Sequence, residues 1–148
     1  KEYMAARCIF RDSCETAITW DRFKDFHANV KEASLRAIRQ ATGREGSVTC
    51  RFTHVYPDGP APYFTFHGLS SSQQRLLDDY WTVKAAASEA IVAGGGTITH
   101  HHSVGREHRP WYDKQRPDLF ARSMRAAKTA LDPKWLLNPG VLFDRDPA

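Results

Sequence analysis

Several things are scarce in this chain. Its 148 residues hold no long apolar run, and the mean hydropathy of −0.55 fits none of the membrane-spanning classes. Cysteine is scarce too: Cys8, Cys14 and Cys50 make an odd set without a C-x-x-C. That argues against a disulfide framework and fits free thiols, small and buried, in a reducing cytoplasmic setting. There is no G-x-G-x-x-G and no Walker pattern. Gly94-Gly95-Gly96 follows a helical stretch and does not open one, so it reads as a helix stop, not a phosphate cradle. Charge of one sign is not concentrated either. The formal excess is +4, with basic residues spread along the chain, which argues against a nucleic-acid partner. No repeat or low-complexity segment is present. The chain opens on Lys1-Glu2-Tyr3 without an apolar leader, as the middle of a longer protein would.

What is present is a real core: 41% of the residues are hydrophobic, enough for one domain. Residues 1–18 show no period. Trp20, Phe23, Phe26, Val30, Ala33, Ala37 and Ala41 recur at three- and four-residue steps and predict a helix over 19–42, with Thr19 as N-cap and Gly43 as stop. Two strand-like runs follow, 47–56 and 63–69, joined by the turn chemistry of Pro57-Asp58-Gly59-Pro60, with Val48, Cys50, Phe52 and His54 expected on one face. A second helix is expected over 71–93, opened by a Ser70/Gln73 or Ser71/Gln74 capping box and closed at Gly94. Residues 97–102 read as a third strand, and Pro117 opens a third helix lined by Leu119, Phe120, Met124, Ala127 and Leu131. The expected class is α+β, with helices packed on one face of a small antiparallel sheet.

His100, His101 and His102 stand in a row, and imidazoles are the side chains most easily tuned to exchange protons near neutral pH. A metal site needs three or four ligands converging on a point. On a strand only His100 and His102 would point together, and His54, His67 or His108 would have to complete the set. Two other readings stay open: imidazoles hydrogen-bonded in a polar pocket, and proton transfer or anion stabilisation beside a substrate, the favoured one. By pattern alone Tyr63 is a β-forming aromatic beside Phe64 and Phe66. Arg106, Arg109 and Arg116 read as solvated cations, and the four tryptophans as packing residues.

Three segments carry a resemblance. They are Thr53-His54-Val55-Tyr56-Pro57-Asp58-Gly59 with Tyr63-Phe64-Thr65, then residues 95–105 around the triple histidine, and Asp132-Pro133-Lys134-Trp135-Leu136-Leu137-Asn138-Pro139-Gly140. Over residues 14–143 the chain resembles the C-terminal portion of FAD-linked oxidases of the vanillyl-alcohol-oxidase type, and within them it looks most like the alkyldihydroxyacetonephosphate synthases. The triple histidine is the specific part, whereas Asn-Pro-Gly is shared more widely. The resemblance implies a ferredoxin-like cap in residues 19–148, with a C-terminal helical segment returning to the flavin. It also implies an N-terminal FAD-binding domain absent from this chain, which alone would bind FAD weakly or not at all. The implied reaction exchanges the acyl group of acyl-dihydroxyacetonephosphate for a fatty alcohol, giving an ether lipid precursor. By motif position Tyr63, His100, His101 and His102 would be catalytic, His101, His102 and Asn138 would meet FAD, and no metal would be used. The partner would be a lipid-like or hydroxyacid small molecule, in a whole protein that can form a homodimer.

Two departures stand out. Tyr3-Met4-Ala5-Ala6 puts alanine where the family carries a substrate-binding arginine, with Arg7 and Arg11 off register, and Ser103 replaces a usual glycine. Two alternatives follow: an FAD-dependent 2-hydroxyacid oxidase or dehydrogenase, and an inactive fragment without its flavin domain. The first is weakened because Tyr63 stands where metal-using members place a second histidine.

Overall fold

The computed structural model describes residues 2–145. They divide into two compact units, one ending at His101 and one beginning at His102. The first holds a short helix α1 (Glu2–Ala5), strand β1 (Ile9–Glu15), helix α2 (Trp20–Thr42), strands β2 (Ser47–Val55) and β3 (Pro60–Leu69), and helix α3 (Leu76–Ala93). From β1 to α3 this is the first five elements of a β-α-β-β-α-β ferredoxin-like order. The sheet is antiparallel with strand order β1-β3-β2.

Pairing assigns the faces, because residues opposite one another on neighbouring strands share a side. Phe64 lies opposite Cys14 and Cys50, and Phe66 opposite Asp12 and Val48. That row packs with Phe26, Val30 and Ile38 of α2 and Val83, Ala87 and Ile91 of α3 into one buried core. Each such side chain contributes about 1.5–3 kcal/mol by leaving water. The opposite face carries Arg11, Ser13, Glu15, Tyr63 and Thr65.

Helix α2 begins after Thr19 and ends at Gly43, whose φ of 69° is the left-handed stop expected of glycine. Helix α3 starts later than expected, and the capping box does not form. Ser70 instead donates its hydroxyl to the buried Asp79 carboxylate, and the Arg75 amide donates to Ser72 Oγ (3.3 Å). The left-handed residue after α3 is Gly95 (φ 79°), not Gly94.

Two further expectations are corrected. Residues 97–102 do not form a strand. The Thr97 amide meets the Ala17 carbonyl (3.2 Å), but the amides of His100 and His101 turn to a side-chain carboxylate instead of a neighbouring strand. The third strand is β1, inside the stretch 1–18 that showed no period. Its helix-facing row reads Phe10, Asp12, Cys14, and Asp12 is accommodated by the buried Lys84 (2.8 Å). A polar residue in the buried row erases the alternation.

His54 does not share the face of Phe52 either. Phe52 pairs with Pro62 but His54 with the adjacent Ala61, so a bulge at Thr53 reverses the side on which His54 emerges. Phe52 stays with Trp20 and Phe23 of α2.

The second unit has helices α4 (Gly105–Gln115) and α5 (Asp118–Leu131) and a closing loop. Pro117, expected to open α5, is its N-cap. Helix α4 went unread because Pro110 interrupts it and it lacks an apolar period. After α5, Asp132 accepts from the Leu136 and Leu137 amides (3.1 and 2.9 Å) and from Lys128 Nζ (2.5 Å). The Lys128 ammonium and then these amides hold its carboxyl down at about 2.

Candidate active site

In the first unit the histidine segment is organised by one residue. Glu15, the last residue of β1, is 1% exposed. Its Oε2 accepts the amides of His100 and His101, each at 2.9 Å. Its Oε1 lies 2.8 Å from Nδ1 of His100 and 2.8 Å from Nδ1 of His101. Four donors match the roughly four lone-pair sites of a carboxylate. Because the carboxylate accepts, each imidazole presents Nδ1–H to it, and Nε2 is then the acceptor nitrogen of the neutral ring. The Thr16 hydroxyl donates to the Thr97 carbonyl (2.6 Å) and ties down the start of the same segment.

Tyr63 pairs directly opposite Glu15. Ser13 Oγ donates to its hydroxyl (2.8 Å), and the Arg51 guanidinium lies 4.8 Å above its ring. The backbone therefore sets Tyr63 beside the carboxylate that holds His100 and His101. On the helix-facing side, burial pushes the Cys50 thiol up to about 11, partly countered by a hydrogen bond with the Tyr63 backbone.

The bulge brings His54 to the same cluster. Its ring packs edge-on to His100 and His101 at 5.5 and 5.1 Å and stacks on Tyr56 at 5.9 Å. Ligand-capable atoms of His54, His100 and His101 lie within 4.8 Å of one another. A metal there would have to displace existing partners, because His100 engages Glu15 through Nδ1 and Tyr56 Oη through Nε2 (3.2 Å).

His102 and Asn138 belong to the second unit. Asn138 takes a φ of 46°, a left-handed conformation that asparagine tolerates better than most residues. Its loop is fixed by Arg106, which donates to the Pro139 carbonyl (2.9 Å), by Arg109 on the Gly140 carbonyl (3.2 Å), and by Lys128 on the Leu137 carbonyl (2.7 Å). Arg106 and Arg109, read as solvated, are loop clamps, and Arg109 also grips Asp144 with two nitrogens (2.9 and 2.5 Å).

Sequence reasoning missed two residues. Glu15 lies in the stretch 1–18 that shows no period, four residues before the expected N-cap Thr19. An acid at a strand end before a helix cap gives no local sign of the histidines 85 positions on. Tyr56 closes the strand-like run 47–56 and stands in the first resembling segment, with no local sign that joins it to the histidines.

The first unit is thus an α+β fold with helices on one sheet face and a carboxylate-held imidazole cluster beside a strand tyrosine. The chain belongs to the family described as FAD linked oxidases, C-terminal domain, whose model matches residues 3–142. It is 29% identical over 148 residues to an alkyldihydroxyacetonephosphate synthase of Trypanosoma brucei brucei, covering all of this chain and 24% of that protein. Two solved structures of alkyldihydroxyacetonephosphate synthase share the fold. One has a TM-score of 0.65 at 17% identity, covering 99% of this chain and 22% of the other. The second has a TM-score of 0.54 at 16% identity, covering 90% and 20%. The chain thus spans about a quarter of the length of the curated relative it matches.

Proposed function

We propose that this chain is the substrate- and flavin-facing part of an FAD-dependent enzyme of the alkyldihydroxyacetonephosphate synthase type, which exchanges the acyl group of an acyl-dihydroxyacetonephosphate for a fatty alcohol. The observation that carries the reading is Glu15, which fixes His100 and His101 across from Tyr63. Family membership supports an FAD enzyme, and the synthase similarity supports the exchange chemistry.

The donor set suits a flavin. Half-exposed imidazoles with their inner nitrogens pinned, and a left-handed Asn138 in a clamped loop, are groups that hydrogen-bond an electron-rich ring. His101, His102 and Asn138 would hold it, and when bound it supplies an electron sink for the substrate carbon. Tyr63, once its own phenolic proton has passed to a base, would take a proton from the substrate. His100 and His101 would receive protons at Nε2 while Glu15 balances the charge. Arg51 offers a cation beside Tyr63 for an anionic substrate group, where the chain lacks the family's arginine.

The rival reading, hydroxyacid oxidation at a metal, has the three clustered imidazoles in its favour. Against it stand the partners already on both nitrogens of His100. Stoichiometric zinc or iron in the purified whole protein would decide for the rival. The direct test is Tyr63→Phe in the whole flavoprotein. Exchange of labelled fatty alcohol should be abolished with FAD content and melting temperature near wild type, and near-normal exchange would refute the role of Tyr63.

A further inference from the structure

Tyr56 has no part in the reading above, yet it is the outermost member of a continuous chain of hydrogen bonds. Glu15 Oε1 lies 2.8 Å from His100 Nδ1, and His100 Nε2 lies 3.2 Å from Tyr56 Oη. The buried carboxylate accepts, so Nδ1 carries the proton. The neutral ring then presents a lone pair at Nε2, and the Tyr56 hydroxyl is the donor. This is the acid–base–hydroxyl order in which a carboxylate fixes the tautomer of a histidine that in turn serves as base to a hydroxyl.

The phenol is held in place from several directions. The Tyr56 and Gly59 backbones exchange hydrogen bonds (2.9 and 3.3 Å), and the Trp20 indole donates to the Tyr56 carbonyl (3.1 Å). Gly59 presses so close to the start of α2 that a Cβ there would meet the Ile18 carbonyl oxygen at 2.0 Å. The ring itself lies parallel to His54, at 2° between planes. Tyr56 and His100 line a cavity of about 520 Å3 together with Thr19, Arg22, Asp58 and Thr97.

We propose that Glu15, His100 and Tyr56 form a proton relay opening on this cavity, with Tyr56 as the proton-exchanging group, His100 as its base and Glu15 as the positioning residue. A small polar ligand with an acidic O–H or C–H gives its proton to Tyr56 Oη as the phenolic proton passes to His100 Nε2. The ligand leaves as its anion, the phenol is restored, and the imidazolium faces the Glu15 carboxylate. The charged or titratable groups around His100 are Glu15, His54, His101 and Tyr56, and Arg22 and Asp58 share the cavity. The relay deepens the flavoenzyme reading by adding a second tyrosine to it, but the hydrogen-bond chain is testable without flavin.

Imidazole 15N spectra of the 148-residue chain test it directly. His100 is expected as the Nδ1–H tautomer, and Tyr56→Phe should shift the Nε2 signal toward that of an unbonded acceptor nitrogen while Nδ1 stays put. Glu15→Gln should release the tautomer; if that variant fails to fold, Tyr56→Phe alone decides. An Nε2 signal unmoved in Tyr56→Phe overturns the relay and leaves the flavin reading intact, whereas an Nε2–H tautomer overturns the relay and also removes His100 as a proton acceptor in that reading. In the whole flavoprotein Tyr56→Phe should lower kcat about 100-fold, the scale of one positioned acid–base group, with KM little changed. Unchanged kcat overturns the relay, whereas a whole protein without flavin refutes the flavoenzyme reading alone.

Discussion

The first unit buries Val30, Ile38, Phe66, Val83 and Ile91 completely, whereas the second leaves Leu131 87% exposed, Leu119 73% and Leu136 71%. One is held by side chains that avoid water. The other is held at its loop by ion pairs and backbone clamps, Asp132 with Lys128 and Arg109 with Asp144. The candidate chemistry follows the division. His100 and His101 are fixed by a carboxylate rooted in a cored sheet, and Asn138 sits in a loop fixed by charged side chains. Precision in the first place rests on packing, and in the second on charge.

Substitutions separate the two regimes. The largest effect is expected from Phe64→Ala, which opens a cavity in the core of the first unit and should cost about 3–5 kcal/mol in urea unfolding. Leu131→Ala, its counterpart on α5, should change stability by less than about 0.5 kcal/mol. Equal effects would erase the contrast. Glu15→Ala is expected in between, at about 2 kcal/mol, because two amides and two imidazoles lose their acceptor, and His100 and His101 backbone signals should broaden or move.

The smallest effect is a matter of pH. The folded state depresses the Asp132 carboxyl to about 2, so its stabilising contribution is fully present above the ordinary carboxylate range near 3.9 and is lost as pH falls through about 2. Leu136 and Leu137 amide shifts should titrate in that window. A midpoint near 4 would show that the Lys128 contact does not persist in solution.

The sequence made the long regular pieces legible. Helix α2 is bounded by Thr19 and Gly43 and has an apolar stripe, and the Pro57–Gly59 turn announces a hairpin, because both signals are local. What escaped was set at a distance. β1 hides its alternation because Lys84, 72 residues away, makes Asp12 tolerable in a buried row. The 97–102 stretch begins with strand composition but forms no strand, since Glu15 captures the His100 and His101 amides that a neighbouring strand would need. The histidines could be singled out by type, and Tyr63 only through the resemblance. Glu15 and Tyr56 could not, since only the tertiary fold joins an acid, an imidazole and a phenol.

The bulge at Thr53 makes the hairpin sensitive to counting more than to composition. Many substitutions at position 53 would preserve the two-against-one spacing, because the extra residue matters more than its identity. A regular ladder through this point would set Thr53 opposite Ala61 and His54 opposite Pro60, which would send His54 toward α2 and leave Tyr56 without its stacking partner. What the cluster needs from this segment is therefore the pairing of His54 with Ala61, and the identity of residue 53 matters little to it.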